Sequence, residues 1–262
     1  MLRPRIIPCL LVKNKGLVKT VGFDKPKYVG DPINAVRIFN EKEVDELVVL
    51  DIDATANGVE PDYVMIRNLA AECRMPLGYG GGVKTVEQAV RIIRMGVEKV
   101  AVSSLAVENP GVVSAMARHV GSQSVVAVLD VKKASKSGAY EVWTHNATRN
   151  THWDAVDFAR QMEDCGVGEI TINSIEQDGV MKGYDIEIAR RIREAVTVPM
   201  TVLGGAGSLQ DIELLIRNFG VIGAAAGSLF VFKGVYKAVL INYPDRAQKK
   251  AICAGAMTGQ GQ

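Results

Sequence analysis

The chain is poor in the residues that most directly announce a chemistry. Its 262 residues include three histidines and four cysteines. His119, His145 and His152 show no ligand spacing, and the last two sit with Trp143 and Trp153 in what reads as a decorated loop. Cys9, Cys73, Cys165 and Cys253 are scattered without a CxxC pair, which disfavours a zinc site or a disulfide framework and favours free thiols. No metal or cofactor is called for; a magnesium site of carboxylates and phosphate oxygens would be compatible, but nothing requires one. The net charge is only +2, so no large field draws the protein to nucleic acid or to a membrane surface. No stretch approaches the roughly 18 apolar residues of a spanning helix. The opening Met1-Leu2-Arg3-Pro4-Arg5 lacks secretory architecture. These absences lead to the expectation of a cytoplasmic protein with neither nucleic-acid nor membrane partners.

What is present is bulk and period. With 48% hydrophobic residues the chain can bury one large core. Short β-branched runs at Arg5–Leu10, Asp45–Asp51, Met75–Gly78, Lys99–Ser103, Ser124–Asp130, Glu169–Asn173, Pro199–Leu203 and Gly220–Ala225 read as strands. Helical periodicity marks Thr85–Met95, Asn109–Val120, Asp154–Cys165, Asp185–Ala195 and Leu209–Asn218. The halves of the chain echo each other: Cys9-Leu10-Leu11-Val12-Lys13 returns as Val128-Leu129-Asp130-Val131-Lys132, and Gly81-Gly82 returns as Gly204-Gly205. Four βα units repeated twice predict an α/β chain folded as a single (β/α)8 TIM barrel over residues 1–244, with a twofold half-barrel repeat. Residues 245–262 read as a disordered tail. The segment 14–31 is expected to be a long loop serving as an active-site flap or a mobile surface loop, and 132–150 to be a β-hairpin excursion.

In such a barrel the chemistry lies at the C-terminal strand ends, where Leu11, Asp51, Gly80–Gly82, Ser103, Asp130, Asn173, Gly204–Gly207 and Gly227 all fall. The repeat pairs Asp130 with Leu11, so one half of an apparent acid/base pair is missing. Glycine runs let backbone approach an anion. Gly81 and Gly82 with Ser103 and Ser104, and Gly205 with Gly227 and Ser228, therefore make two candidate phosphate cradles. A phosphorylated small molecule with a phosphate at each end would fit them; tight turns are the alternative reading of the same glycines.

At these residues the sequence resembles the HisF family, the cyclase subunit of imidazole glycerol phosphate synthase. The phrases that carry the resemblance are Arg5-Ile-Ile-Pro-Cys-Leu10, Gly80-Gly-Gly82, Ala106-Val-Glu-Asn-Pro110, Gly121-Ser-Gln123, Gly168-Glu-Ile170, Gln177-Asp-Gly179, Gly183-Tyr-Asp185 and Gly204-Gly-Ala-Gly207. The resemblance implies a two-half barrel that binds a bisphosphorylated ribulosyl-type substrate and takes ammonia through its interior from a partner HisH-like glutaminase. It implies that Asp130 is the second of two catalytic aspartates and that Leu11 stands in place of the first, costing acid–base help typically worth about 10²–10⁴-fold. It places Asp178 and Gly179 with the phosphate-binding residues, and Cys9, Lys19, Asp51 and Asn173 in the pocket. Asn173 stands where threonine is expected, and Leu203 where serine is usual. At the opposite end, Arg5, Glu46, Lys99 and Glu169 match an ammonia gate, and Glu98 a glutaminase contact.

Three readings follow. In the first, the chain is a diverged HisF-like subunit, of the kind found in bacterial surface-polysaccharide clusters. There it passes ammonia toward a third, amidotransferase-like enzyme that forms acetamidino groups on a sugar nucleotide. The second is an orthodox cyclase of histidine biosynthesis, with Asp53 as a candidate substitute for the lost acid. The third is a non-catalytic phosphate-ligand-binding regulator of the glutaminase.

Overall fold

The computed structural model describes residues 3–135 and 137–257. Eight parallel strands, Arg5–Lys13, Leu47–Asp51, Leu77–Gly80, Lys99–Val102, Val125–Lys133, Glu169–Ser174, Met200–Leu203 and Gly223–Ala226, each pair with the next. The eighth pairs back onto the first, with Gly223 opposite Arg5, so the sheet closes. Helices follow the strands and wrap the outside, giving the expected (β/α)8 barrel. Their starts are written locally: the side chains of Asp31, Asp62, Thr85, Asn109, Asp154, Asp185 and Ser208 each accept from backbone N–H groups of the first helical turn. Several residues that open a helical run in the sequence pattern are therefore caps rather than helix.

Strand alternation divides the core in two. Ile6, Leu10 and Val12 point outward into the main core between sheet and helices, where they join Phe39, Ile66, Ile92, Phe158, Ile188 and Ile216. Ile7, Cys9 and Leu11 point into the barrel, where they meet Val48, Leu50, Leu203 and Ala225. The same alternation carries Glu46 to Leu50, Lys99 to Ser103, Val126 to Asp130, Glu169 to Asn173 and Thr201 to Leu203. One end of each interior column stands at the strand start and the other at the mouth.

Two expectations change, and one holds. The segment 14–31 is not a loop but an antiparallel pair, Gly16–Val21 and Asp24–Gly30. The first strand overruns the barrel to Lys13 and offers an edge, on which Val18 pairs with Leu11. Gly22 and Phe23, both at φ near +60°, make the two-residue turn between them. Residues 140–144 and 149–154 form the expected hairpin, paired on the extended fifth strand with Trp143 opposite Asp130. The expected disordered tail is helix over Arg246–Met257; residues 258–262 lie outside the described residues. That helix buries Ile252 in the main core and packs along Leu209–Phe219. Lys249 bonds to Asp45 at 3.0 Å, and Tyr243 donates to the Ile6 carbonyl at 2.8 Å. It closes the last flank of the barrel, a role that its weakly apolar sequence hides.

Truncating Ile252 to alanine is expected to cost about 2 kcal/mol or more of stability, at the low end for a core truncation. Urea denaturation reads this; a free energy within 0.5 kcal/mol, roughly the surface-substitution range, would mean that the helix does not complete the core.

Candidate active site at the mouth of the barrel

A cavity opens at the C-terminal strand ends, with about 150 Å³ of room for the centres of water molecules. Leu11, Lys19, Asp51, Asp130, Asn173 and Asp178 line it, as do both glycine runs and Ser103, Ser104, Gly227 and Ser228. The fold therefore gathers the residues that the sequence spread over the whole chain.

Asp130 is the chemical centre. Its carboxylate accepts from Asn173 Nδ2 at 2.8 Å and from Ser103 Oγ at 3.2 Å. Burial raises its pKa, the two hydrogen bonds hold it back, and the negative Asp178 adds to the rise, leaving it at about 7. A carboxyl so poised can take or give a proton near neutral pH. The Ser103 hydroxyl thus serves the acid from the cavity wall. Asn173, where threonine was expected, is the stronger donor to the same acid.

Beside Asp130 the wall is apolar. Leu11 packs with Leu203, Cys9 and Leu50, and Leu50 also touches Ala101 and Val128. The two departures at positions 11 and 203 thus form one surface. Burial pushes the Cys9 thiol up to about 11. Asp53 does not replace the lost acid: it lies in the loop beyond the strand, where it accepts from the Asn14 N–H at 2.8 Å and pairs with Lys13 at 3.8 Å. Asp51 lines the cavity, and its Oδ1 accepts from the Asp53 and Ala54 N–H groups, closing the turn that follows. Burial raises its pKa against those two bonds.

The flap lies over the cavity. Lys19 is buried and donates to the Cys9 carbonyl at 2.7 Å. Burial lowers its pKa, with Cys9 and Asp178 opposing. Asp178 pins the flap: its carboxylate accepts from Thr20 Oγ1 at 2.7 Å and from the Phe23 N–H at 3.0 Å, and its carbonyl from the Gly22 N–H. This carboxylate is a clasp for the flap, whereas a phosphate would need donors. Gly179, at φ +68°, lets the Thr20 carbonyl approach to 2.1 Å from where a Cβ would stand. Gly205, at φ +105°, does the same for the Gly183 carbonyl at 2.0 Å. Ser104 and Ser228 open the short helices Ser104–Glu108 and Ser228–Val231, neither of which has a side-chain cap.

His145 and Asn146 also line the cavity, although in the sequence they read as loop decoration. They stand at the hairpin tip with φ near +54°, and Asn146 Nδ2 donates to the Ile52 carbonyl at 2.8 Å, tying the tip across the mouth. Burial and Arg149 lower the His145 pKa against the pull of Glu108. The only prior signal was the placement of the hairpin directly after the strand that carries Asp130. Among the described residues no group of three or more His, Cys, Asp or Glu side chains is arranged to hold a metal. All four cysteines are free.

At the other end of the interior, four charges alternate in a ring. Arg5 pairs with Glu46 and, at 2.7 Å, with Glu169; Lys99 pairs with Glu46 at 2.7 Å and with Glu169 at 2.9 Å. Thr201 Oγ1 donates to Glu169 at 2.5 Å. Burial opposes ionisation of Glu169, but the bonds and charges of Arg5 and Lys99 prevail and hold it at about 2. Burial likewise lowers Arg5, and its two carboxylate partners more than reverse this, leaving its pKa raised. Above the ring lies a second cavity with about 30 Å³ of room for water centres. Its upper collar of Cys9, Leu50, Ala101, Val128 and Leu203 is also the floor of the mouth. Glu98 is exposed beside the ring.

A closed (β/α)8 barrel with one near-neutral carboxyl at its mouth and a paired charge ring at its base belongs to the TIM-barrel class. The comparisons narrow this: residues 5–237 match the model of the family described as histidine biosynthesis protein. A protein of Leptospira interrogans, provisionally named imidazole glycerol phosphate synthase subunit HisF, is 59% identical over 252 residues, covering 96% of this chain and 99% of its own. A provisionally named HisF subunit of Vibrio vulnificus is 56% identical over 95% of this chain and 96% of its own. The imidazole glycerol phosphate synthase subunit HisF of Alkaliphilus metalliredigens is 40% identical over 90% and 93% respectively. The chain belongs to the histidine biosynthesis protein family, in its HisF branch.

Removing the Asn173 donor should raise the Asp130 pKa above 7, since its bond favours the ionised form. A carboxyl carbon NMR titration of the natural protein and of Asn173→Ala checks this; an unchanged midpoint would deny that the bond acts. The lowered Glu169 pKa stabilises the fold fully above the ordinary value of 4.5, and that stability is lost as pH falls toward about 2. Across that window the unfolding free energy of the natural protein should drop more steeply than that of Glu169→Gln.

Proposed function

We propose that this chain is the synthase subunit of a glutamine amidotransferase complex. It receives ammonia from a HisH-like glutaminase docked near Glu98 and passes it through the barrel to the mouth. The observation that carries this reading is the charge ring standing directly below a small cavity whose collar is the floor of the mouth. A cavity of about 30 Å³ admits an ammonia-sized molecule. Its apolar collar penalises ammonium and favours neutral ammonia. All four ring charges are paired, so the gate is closed, and passage requires at least one pair to part.

At the mouth the two glycine runs, apart from Gly82 and Gly207 whose N–H groups donate to Thr55 and Asp211, and the uncapped helix starts supply backbone N–H donors for a phosphorylated ligand. Asp130 has no second acid opposite it, because Leu11 can neither accept nor donate a proton. The ammonia is therefore assigned to a third enzyme, which amidates a surface-polysaccharide sugar nucleotide, with this barrel as its conduit. A second reading, cyclase of histidine biosynthesis, is favoured by the near-neutral Asp130 carboxyl and by the name of the Alkaliphilus metalliredigens relative.

Complementation of a cyclase-deficient strain separates the two. The natural gene should fail to restore histidine prototrophy and Leu11→Asp should improve growth; robust growth with the natural gene would establish the cyclase reading instead. In a complex reconstituted with the glutaminase, Lys99→Ala leaves two buried carboxylates short of a cation. It should cost about 3–5 kcal/mol of stability if the ring does not relax, and it should release ammonia to solvent rather than to the acceptor. Unchanged coupling of glutamine hydrolysis to amidation would remove the gate from this account.

A further inference from the structure

The apolar wall beside Asp130 has a consequence for what the mouth can hold. Leu11, Leu203, Cys9 and Leu50 form one cluster, and Leu50 joins it to Ala101 and Val128. Five of these six residues line both cavities, so the wall is the floor on which any ligand in the mouth rests. Leu203 and Cys9 are buried, and Leu11 is half-buried with its side chain on the cavity. The nearby polar groups are engaged elsewhere: Ser103 and Asn173 donate to Asp130, Asp51 closes its own turn, Asp178 clasps the flap, and Lys19 donates to a backbone carbonyl. The Leu11–Leu203 floor itself offers a hydroxyl group no partner, so a hydroxyl laid on it loses water there, and that loss is costly. A methylene laid there gains from burial.

From this we infer that the mouth selects phosphate esters whose carbon chain is alkyl where it crosses Leu11 and Leu203, and rejects polyhydroxylated ones of the same length. The inference rests on the reading of the glycine cradles as phosphate sites. It adds a substrate class: an ester with phosphate on a cradle, an apolar stretch on the wall, and one hydrogen-bonding group at Asp130. The two leucines act together, so restoring polarity at either should erode the selection without touching the cradles.

The test is a calorimetric or NMR titration of the full chain with inorganic phosphate, n-butyl phosphate and erythritol 4-phosphate. The two esters share a four-carbon chain and differ in its hydroxyls. Burial of about two methylenes predicts butyl phosphate to bind about tenfold more tightly than the erythritol ester. Leu203→Ser should cut that ratio to about threefold with the affinity for inorganic phosphate unchanged, and Leu11→Asp should abolish it, its added charge weakening all three probes alike. Leu203→Ser alone suffices where Leu11→Asp does not fold, as a melting curve shows. Equal affinities for the two esters in the natural protein, with phosphate bound, would overturn the selectivity and leave the cradles standing. A tenfold ratio that survives both substitutions would also overturn it, because the wall would not be its source. Failure of all three probes to bind would overturn it together with the cradle reading.

Discussion

Everything at both ends of this barrel hangs on one constraint: in a closed parallel sheet, every second residue of each strand must face the interior. Arg5, Ile7, Cys9 and Leu11 share a column for that reason, as do Glu169, Thr171 and Asn173. A charge placed at the strand start thereby fixes which residue reaches the mouth. The ring of Arg5, Glu46, Lys99 and Glu169 and the pocket around Asp130 are thus two ends of the same few columns. Between them stand Ile7, Val48, Val126, Val128 and Thr171, and a small cavity remains among these side chains.

Charge is handled in opposite ways at the two ends. At the base, two acids and two bases compensate each other's burial, and Glu169 is held ionised far below its usual range. At the mouth, Asp130 is buried with two neutral donors and with the negative Asp178 nearby, and lies near neutrality. The first arrangement stabilises a fixed state, while the second leaves a proton free to move. Leucine at position 11 deepens this asymmetry, because it contributes neither a counter-charge nor a second acid.

Much of the fold was legible in the residues. All eight barrel strands and five helices appear close to where β-branched runs and apolar periodicity put them. The half-chain repeat places Leu11, Asp130 and both glycine runs at one end from residue spacing alone. Other features were hidden because their cause is not local. The flap is a strand pair only because the first strand overruns and supplies an edge at Leu11–Val18. Arg246–Met257 is a helix because the barrel leaves it a flank to cover, not because its sequence is strongly apolar. The bonds of Ser103 to Asp130 and of Asp178 to the flap join parts of the chain that lie far apart in the sequence.

Residue type and spacing along one strand are enough for the alternation, the loss of an acid at position 11 and the pattern of charges at strand starts. The folded barrel was needed to show that Leu11 and Leu203 make one wall, that Asp53 lies outside the pocket, and that His145 and Asn146 reach it. Those are relations between different strands and between a loop and a cavity. They follow from closure of the sheet, which brings residues almost two hundred positions apart to the same few ångströms.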